Sequence, residues 1–90
     1  MFIKAPNDIL DFEWDWSIWL PTGDTISSVT WTVMSGLTLE SSPAASHTTN
    51  TATVWLGGGT AGNTYTVTCQ ITTAAGRVGQ NTQNVNVVNL

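Results

Sequence analysis

Thr64-Tyr65-Thr66-Val67-Thr68-Cys69-Gln70-Ile71-Thr72-Thr73 is the stretch that decides the fold of this chain. Tyr65, Val67, Cys69 and Ile71 hold one phase of a strict alternation, and Thr64, Thr66, Thr68, Gln70 and Thr72 hold the other. A period of two is the mark of a strand with one face in a core and one in water. Threonine is β-branched and stiff at χ1, which suits the pleated, half-exposed side. Downstream, Ala74-Ala75-Gly76-Arg77 fits a tight hairpin loop, and a return strand over about Val78 to Val88 turns Val85 and Val87 inward. Upstream, Gly57-Gly58-Gly59-Thr60-Ala61-Gly62 reads as a turn, because so many glycines hold a ladder only at a large entropic cost.

The N-terminal half reads the same way. Asp11-Phe12-Glu13-Trp14-Asp15-Trp16 alternates acids with aromatics, so a strand sets three carboxylates on one face and three rings on the other. It ends near Trp19-Leu20, where Pro21-Thr22-Gly23-Asp24 supplies turn chemistry. A second strand is predicted over about Thr25 to Val33, with Trp31 in the core between Val29 and Val33. Met34-Ser35-Gly36 closes it. Leu37-Thr38-Leu39 makes a short third strand, and residues 41–46 have the composition of a loop. A fourth strand covers about Thr51 to Leu56, with Ala52, Val54 and Leu56 on one face and Trp55 on the other.

Six or seven short antiparallel strands at this spacing predict an all-β protein, an immunoglobulin-like or fibronectin-like β-sandwich, with a small barrel or jelly roll as the competing architecture. The sharper sign is Leu56, the glycine-rich corner, and then Gly62-Asn63-Thr64-Tyr65. This matches a tyrosine corner, in which a tyrosine early in the sixth strand of such a sandwich bonds back to upstream backbone. Ninety residues hold one domain, 1–90, with 1–9 expected as an extended N-terminal arm.

Composition narrows the function classes. Charged residues make up 9% of the chain, where about 25% is usual, and sixteen threonines cover much of the surface instead. The net charge is −4 with Lys4 and Arg77 the only cations, so no basic stripe exists to neutralise phosphates and nucleic-acid binding is excluded. No apolar run approaches the roughly 20 residues of a membrane helix. The N-terminus lacks the apolar stretch of about 7 to 15 residues that a secretory signal needs. One cysteine, Cys69, forms no internal disulfide, and together these features predict a soluble protein that folds in a reducing cytoplasm.

A search for catalytic constellations yields none, so no enzyme and no cofactor is expected. His47 reads as a solvated loop residue, and one imidazole with one cysteine does not make a zinc site. Cys69 sits on an inward phase, where a thiol acts as a small hydrophobe. Asp11, Glu13 and Asp15 form the one charge cluster. Their alternation suits an edge strand guarded against aggregation or the docking of a basic partner better than a calcium loop. Five tryptophans are many for so small a core. Trp14, Trp16 and Trp31 are core by alternation, Trp19 lies at a strand end, and Trp55 faces away from Val54 and Leu56. Trp55 and Trp19, with Asp11, Glu13 and Asp15, are therefore the candidate partner-binding residues.

Several motifs carry a family resemblance: Asp15-Trp16-Ser17-Ile18-Trp19-Leu20, Gly23-Asp24-Thr25-Ile26-Ser27, Trp31-Thr32-Val33, Thr53-Val54-Trp55-Leu56, and Gly59 through Val67 with Gly76-Arg77. From about Leu10 to Val88 the chain resembles a family of small tailed-phage proteins described as fibre-tail adaptors, and the tryptophan placements are the most specific part of the likeness. Ile18 departs from the polar residue usual between the two tryptophans of the first motif. The resemblance implies an immunoglobulin-like virion structural protein, bacteriophage in origin, with no catalytic residues. It would fold in the host cytoplasm and dock in multiple copies to tail, fibre or capsid proteins, with homo-oligomers a further expectation. A capsid decoration protein and a carbohydrate-binding module, using Trp55 or Trp19 as a platform, are the alternatives.

Overall fold

The computed structural model describes residues 2–41 and 44–89. These form β1 (Phe2–Lys4), β2 (Leu10–Asp15), β3 (Ile26–Val33), β4 (Leu37–Leu39), β5 (Ser46–His47), β6 (Thr51–Gly58), β7 (Thr64–Thr73) and β8 (Val78–Val87). No helix occurs among the described residues. One sheet runs β1-β8-β7-β3 and the other β2-β6-β4, with β5 also on β6. The two sheets make the β-sandwich expected from the alternation. Ser42 and Pro43 of the expected 41–46 loop lie outside the described residues.

β7 is the spine of its sheet, paired with β8 from Thr64↔Asn86 to Thr72↔Val78 and with β3 on its other edge. Its inward Val67, Cys69 and Ile71 have no exposed surface, and they meet Val54 and Leu56 of β6 and Val85 and Val87 of β8 in a single core. Burying side chains of this size stabilises a fold by roughly 1.5 to 3 kcal/mol each. From the facing sheet, β2 adds Phe12 and Trp14 to that core, and Trp16 extends it just past the strand. β6 lies between β2 and the interrupted edge formed by β4 and β5, because β2 occupies its other side from Leu10↔Leu56 to Asp15↔Thr51.

The tyrosine corner is formed. Tyr65 Oη accepts hydrogen bonds from the Thr60 backbone N–H at 3.0 Å and from Asn63 Nδ2 at 3.4 Å. Two glycines make room for the ring. A Cβ on Gly36 would stand 2.8 Å from Tyr65 Cε1, and one on Gly59 would stand 2.7 Å from Val87 Cγ2; both glycines hold positive φ, which side chains rarely adopt.

Three features differ from the expected strand plan. Phe2–Lys4, within the expected arm, pair in parallel with Val85–Val87, so one pairing of the sandwich is parallel. Lys4 is fully buried there. Its Nζ donates to the carbonyls of Ala5 at 2.6 Å and Gly58 at 2.5 Å, which offset part of the cost of taking a cation out of water. Burial pushes its pKa below the usual lysine range, opposed by attraction to Asp8 and Glu40. β5 is the second addition, too short and polar to show a period. The third is Trp31, which is partly buried and not in the core. β3 is an edge strand, so one flank of the indole has no neighbouring strand, while its ring meets Trp14 edge to face at 5.0 Å.

Candidate docking face and flank groove

β2 pairs with β6 in a register that sets Asp11 opposite Trp55, Glu13 opposite Thr53 and Asp15 opposite Thr51. Phe12, Trp14, Ala52 and Val54 take the inner face, so these acids and Trp55 share the outer one. Trp55 is half-buried, flanked on its other side by Glu40, whose backbone N–H donates to the Trp55 carbonyl at 2.9 Å. Glu40 also lies over Gly57, where a Cβ would meet its Oε2 at 2.8 Å. The result is an indole between carboxylates on a sheet surface.

No cation is hydrogen-bonded to Asp11, Glu13 or Asp15 among the described residues, although Lys4 attracts Glu40 from inside the fold. Lys4 is buried against carbonyls, and Arg77 Nη1 is engaged with Asp24 Oδ2 at 2.9 Å. Asp15 Oδ1 accepts the Ser17 backbone N–H at 2.9 Å, which with the Ser17 hydroxyl holds its carboxyl below the ordinary aspartate range despite slight desolvation. It is therefore ionised at neutral pH. Among the described residues, no three His, Cys, Asp or Glu side chains converge as a metal would need.

Trp19 falls elsewhere. The turn after β2 folds through backbone bonds from Trp19 N and Leu20 N to the Trp16 carbonyl. Trp19 is 44% exposed and meets Trp16 edge to face at 5.4 Å. Both indoles lie over Gly79, where a Cβ would stand 2.8 Å from Trp19 Cζ2. These rings border a groove of about 570 Å³ along the flank of the sandwich, between β2 and β8. Glu13 and Asp15 line one wall, Gln80, Asn81 and Gln83 the other, and Ile18, 99% exposed, stands at the lip.

The structure thus joins Asp11, Glu13, Asp15 and Trp55 on one face, and Glu13, Asp15 and Trp19 at one groove. The sequence reading missed Asn81, Gln83 and Glu40, and marked Ile18 only as a departure from the family motif. A signal for two of them existed: Asn81 and Gln83 share the inward phase of Val85 and Val87, and polar residues on that phase mark a wet gap in the core.

Cys69 is fully buried and burial pushes its thiol up to about 11, slightly opposed by a contact to Trp16. His47 is exposed.

No curated protein matches the chain. The family described as podophage GP4 fiber-tail adaptor protein gp77 matches residues 4–86, from the buried Lys4 through the tyrosine corner to Asn86 of β8. That span includes both sheets, the acidic face and the groove, and the chain belongs to the podophage GP4 fiber-tail adaptor protein gp77 family.

Proposed function

We propose that this chain is a non-enzymatic tail–fibre adaptor subunit of a phage particle, and that it holds other virion proteins through the outer face of β2–β6 and the adjoining groove. The observation that carries the reading is the half-buried Trp55 set between Asp11 and Glu40 in a domain whose two cations are both engaged internally. Tryptophan anchors commonly dominate interfaces, and an uncompensated acidic surface steers a basic partner. Docking in several copies is part of the proposal, since fibres attach around a tail.

The test is immunogold electron microscopy of particles from the phage that encodes this chain. Label at the tail or fibre base is expected. Label over the head would favour capsid decoration, and unlabelled particles, with an antibody known to bind the folded protein, would remove the virion reading and bring the carbohydrate-binding module forward.

A further inference from the structure

β8 carries an open sheet edge. Val87 donates to the Asn63 carbonyl and accepts from Gly62 N, and the Arg77 carbonyl accepts from Thr73 N. Odd-numbered residues of this strand therefore direct their backbone groups to the β7 side. Even-numbered residues direct theirs the other way, as Val88 does in donating to the Lys4 carbonyl. Among the described residues β1 pairs only with Val85–Val87 and takes the Asn84 carbonyl through the Phe2 N–H, so the N–H and C=O groups of Gln80 and Thr82 and the N–H of Asn84 face outward with no described strand beside them. That segment of five residues spans about 17 Å.

The devices that normally guard an edge are absent from it. Gln80-Asn81-Thr82-Gln83-Asn84 has no proline and no charge, and its register with β7 runs without a bulge. Across the groove lies the edge of β2, with Trp14, Trp16 and Trp19 between the two strands and Ile18 fully exposed beside them.

We propose that the β8 edge is a strand-addition site, which takes one extended segment of another protein in which apolar side chains alternate with Lys or Arg. This deepens the adaptor reading and rests on it. Main-chain bonds to Gln80, Thr82 and the Asn84 N–H hold the segment, its apolar residues lie on the tryptophan floor, and its cations meet Glu13 and Asp15. A second copy is a poor occupant, because its own acidic β2 would be brought beside this one. β1 shows that the next stretch of the same edge already accepts a strand in this position.

Thr82→Pro tests the site. Proline there removes an N–H that β7 does not use, so the ladder survives, whereas strand addition loses a central donor. Thr82→Val is the matched control, because both variants lose the hydroxyl contact to Thr68 and only proline loses the N–H. With both variants folded by near-ultraviolet circular dichroism, the expected result is wild-type incorporation of Thr82→Val into particles and a loss of at least roughly tenfold for Thr82→Pro. Equal incorporation of the two overturns the site while leaving the adaptor reading standing.

A second measurement is independent of particles and covers a Thr82→Pro chain that does not fold. Amide hydrogen exchange is followed in the wild-type protein with a synthetic peptide of alternating valine and lysine. Slowed exchange at Gln80, Thr82 and Asn84 supports the site. Exchange unchanged at millimolar peptide, protection confined to β2, or protection already present in a dimer of the free chain overturns it.

Discussion

Trp14 Nε1 on β2 donates a 3.1 Å hydrogen bond to Asn81 Oδ1 on β8, and so ties the edge strand of one sheet to the open edge of the other. Gln83 Nε2 donates to the same oxygen at 2.9 Å, which fixes the amide orientation. The flank groove is thus spanned by a polar latch at its floor.

Replacing Asn81 with alanine removes the latch together with its bond to the buried Trp14 indole. The expected cost is about 1 to 2 kcal/mol, read as a lower urea midpoint by tryptophan fluorescence. An unchanged midpoint would show that the bond contributes nothing to stability.

Adjacent residues of β6 should separate folding from docking. Leu56 is fully buried, and Leu56→Ala is expected to cost about 2 to 5 kcal/mol through the cavity it leaves. Trp55→Ala, on the outer face, should fold nearly normally and incorporate poorly into particles. A Trp55→Ala chain that is insoluble would assign that indole to the fold.

Gly79→Ala should force Trp19 off its seat, since the new methyl would stand 2.8 Å from Cζ2 and 3.1 Å from Cζ3 of Trp16. A red-shifted emission with the fold retained is expected. Emission identical to wild type would mean that the rings yield without leaving.

Acid should loosen the loop between β2 and β3 first. Asp24 is desolvated, which raises its pKa, but bonds from Thr73, Arg77, Ala75 and Thr25 outweigh this and hold it below the ordinary aspartate range. A carboxyl lowered in the folded state stabilises fully above its unfolded pKa of about 3.9, and that contribution is lost as pH falls through the folded value. Asp24→Asn should therefore be less stable than wild type near neutrality, with the gap closing as pH falls below the unfolded value and through the lower folded one. A gap independent of pH in thermal melts would refute the assignment.

Cys69, with its thiol pushed up to about 11 and no exposed surface, should resist a disulfide reagent at about pH 8 until denaturant is added. Prompt labelling of the native protein would show that the core opens at β7.

Much of this was legible from alternation alone. The inward Tyr65, Val67, Cys69 and Ile71, the span of β7 and the place of β4 follow from a period of two, because burial on one face is a local pattern. Asp11, Glu13, Asp15 and Trp55 could each be marked as outward in the same way.

Pairing is a different matter. That Trp55 lies opposite Asp11, that Glu40 closes its other side, and that Trp31 falls on an edge depend on which strands are neighbours, which no local period records. β1 escaped because three residues carry no measurable period, and nothing near Lys4 in the chain marks it for burial, since the Gly58 carbonyl that receives its ammonium comes from 54 positions away.

The sequence by itself determined the class of fold, the phase of each long strand and the acidic, cation-poor surface, since these depend on composition and on residues near one another in the chain. The tertiary structure alone decided the groove and the open edge of β8. Among the described residues β1 meets β8 only at Val85–Val87, and whether an edge is covered is settled by residues about eighty positions apart in the chain.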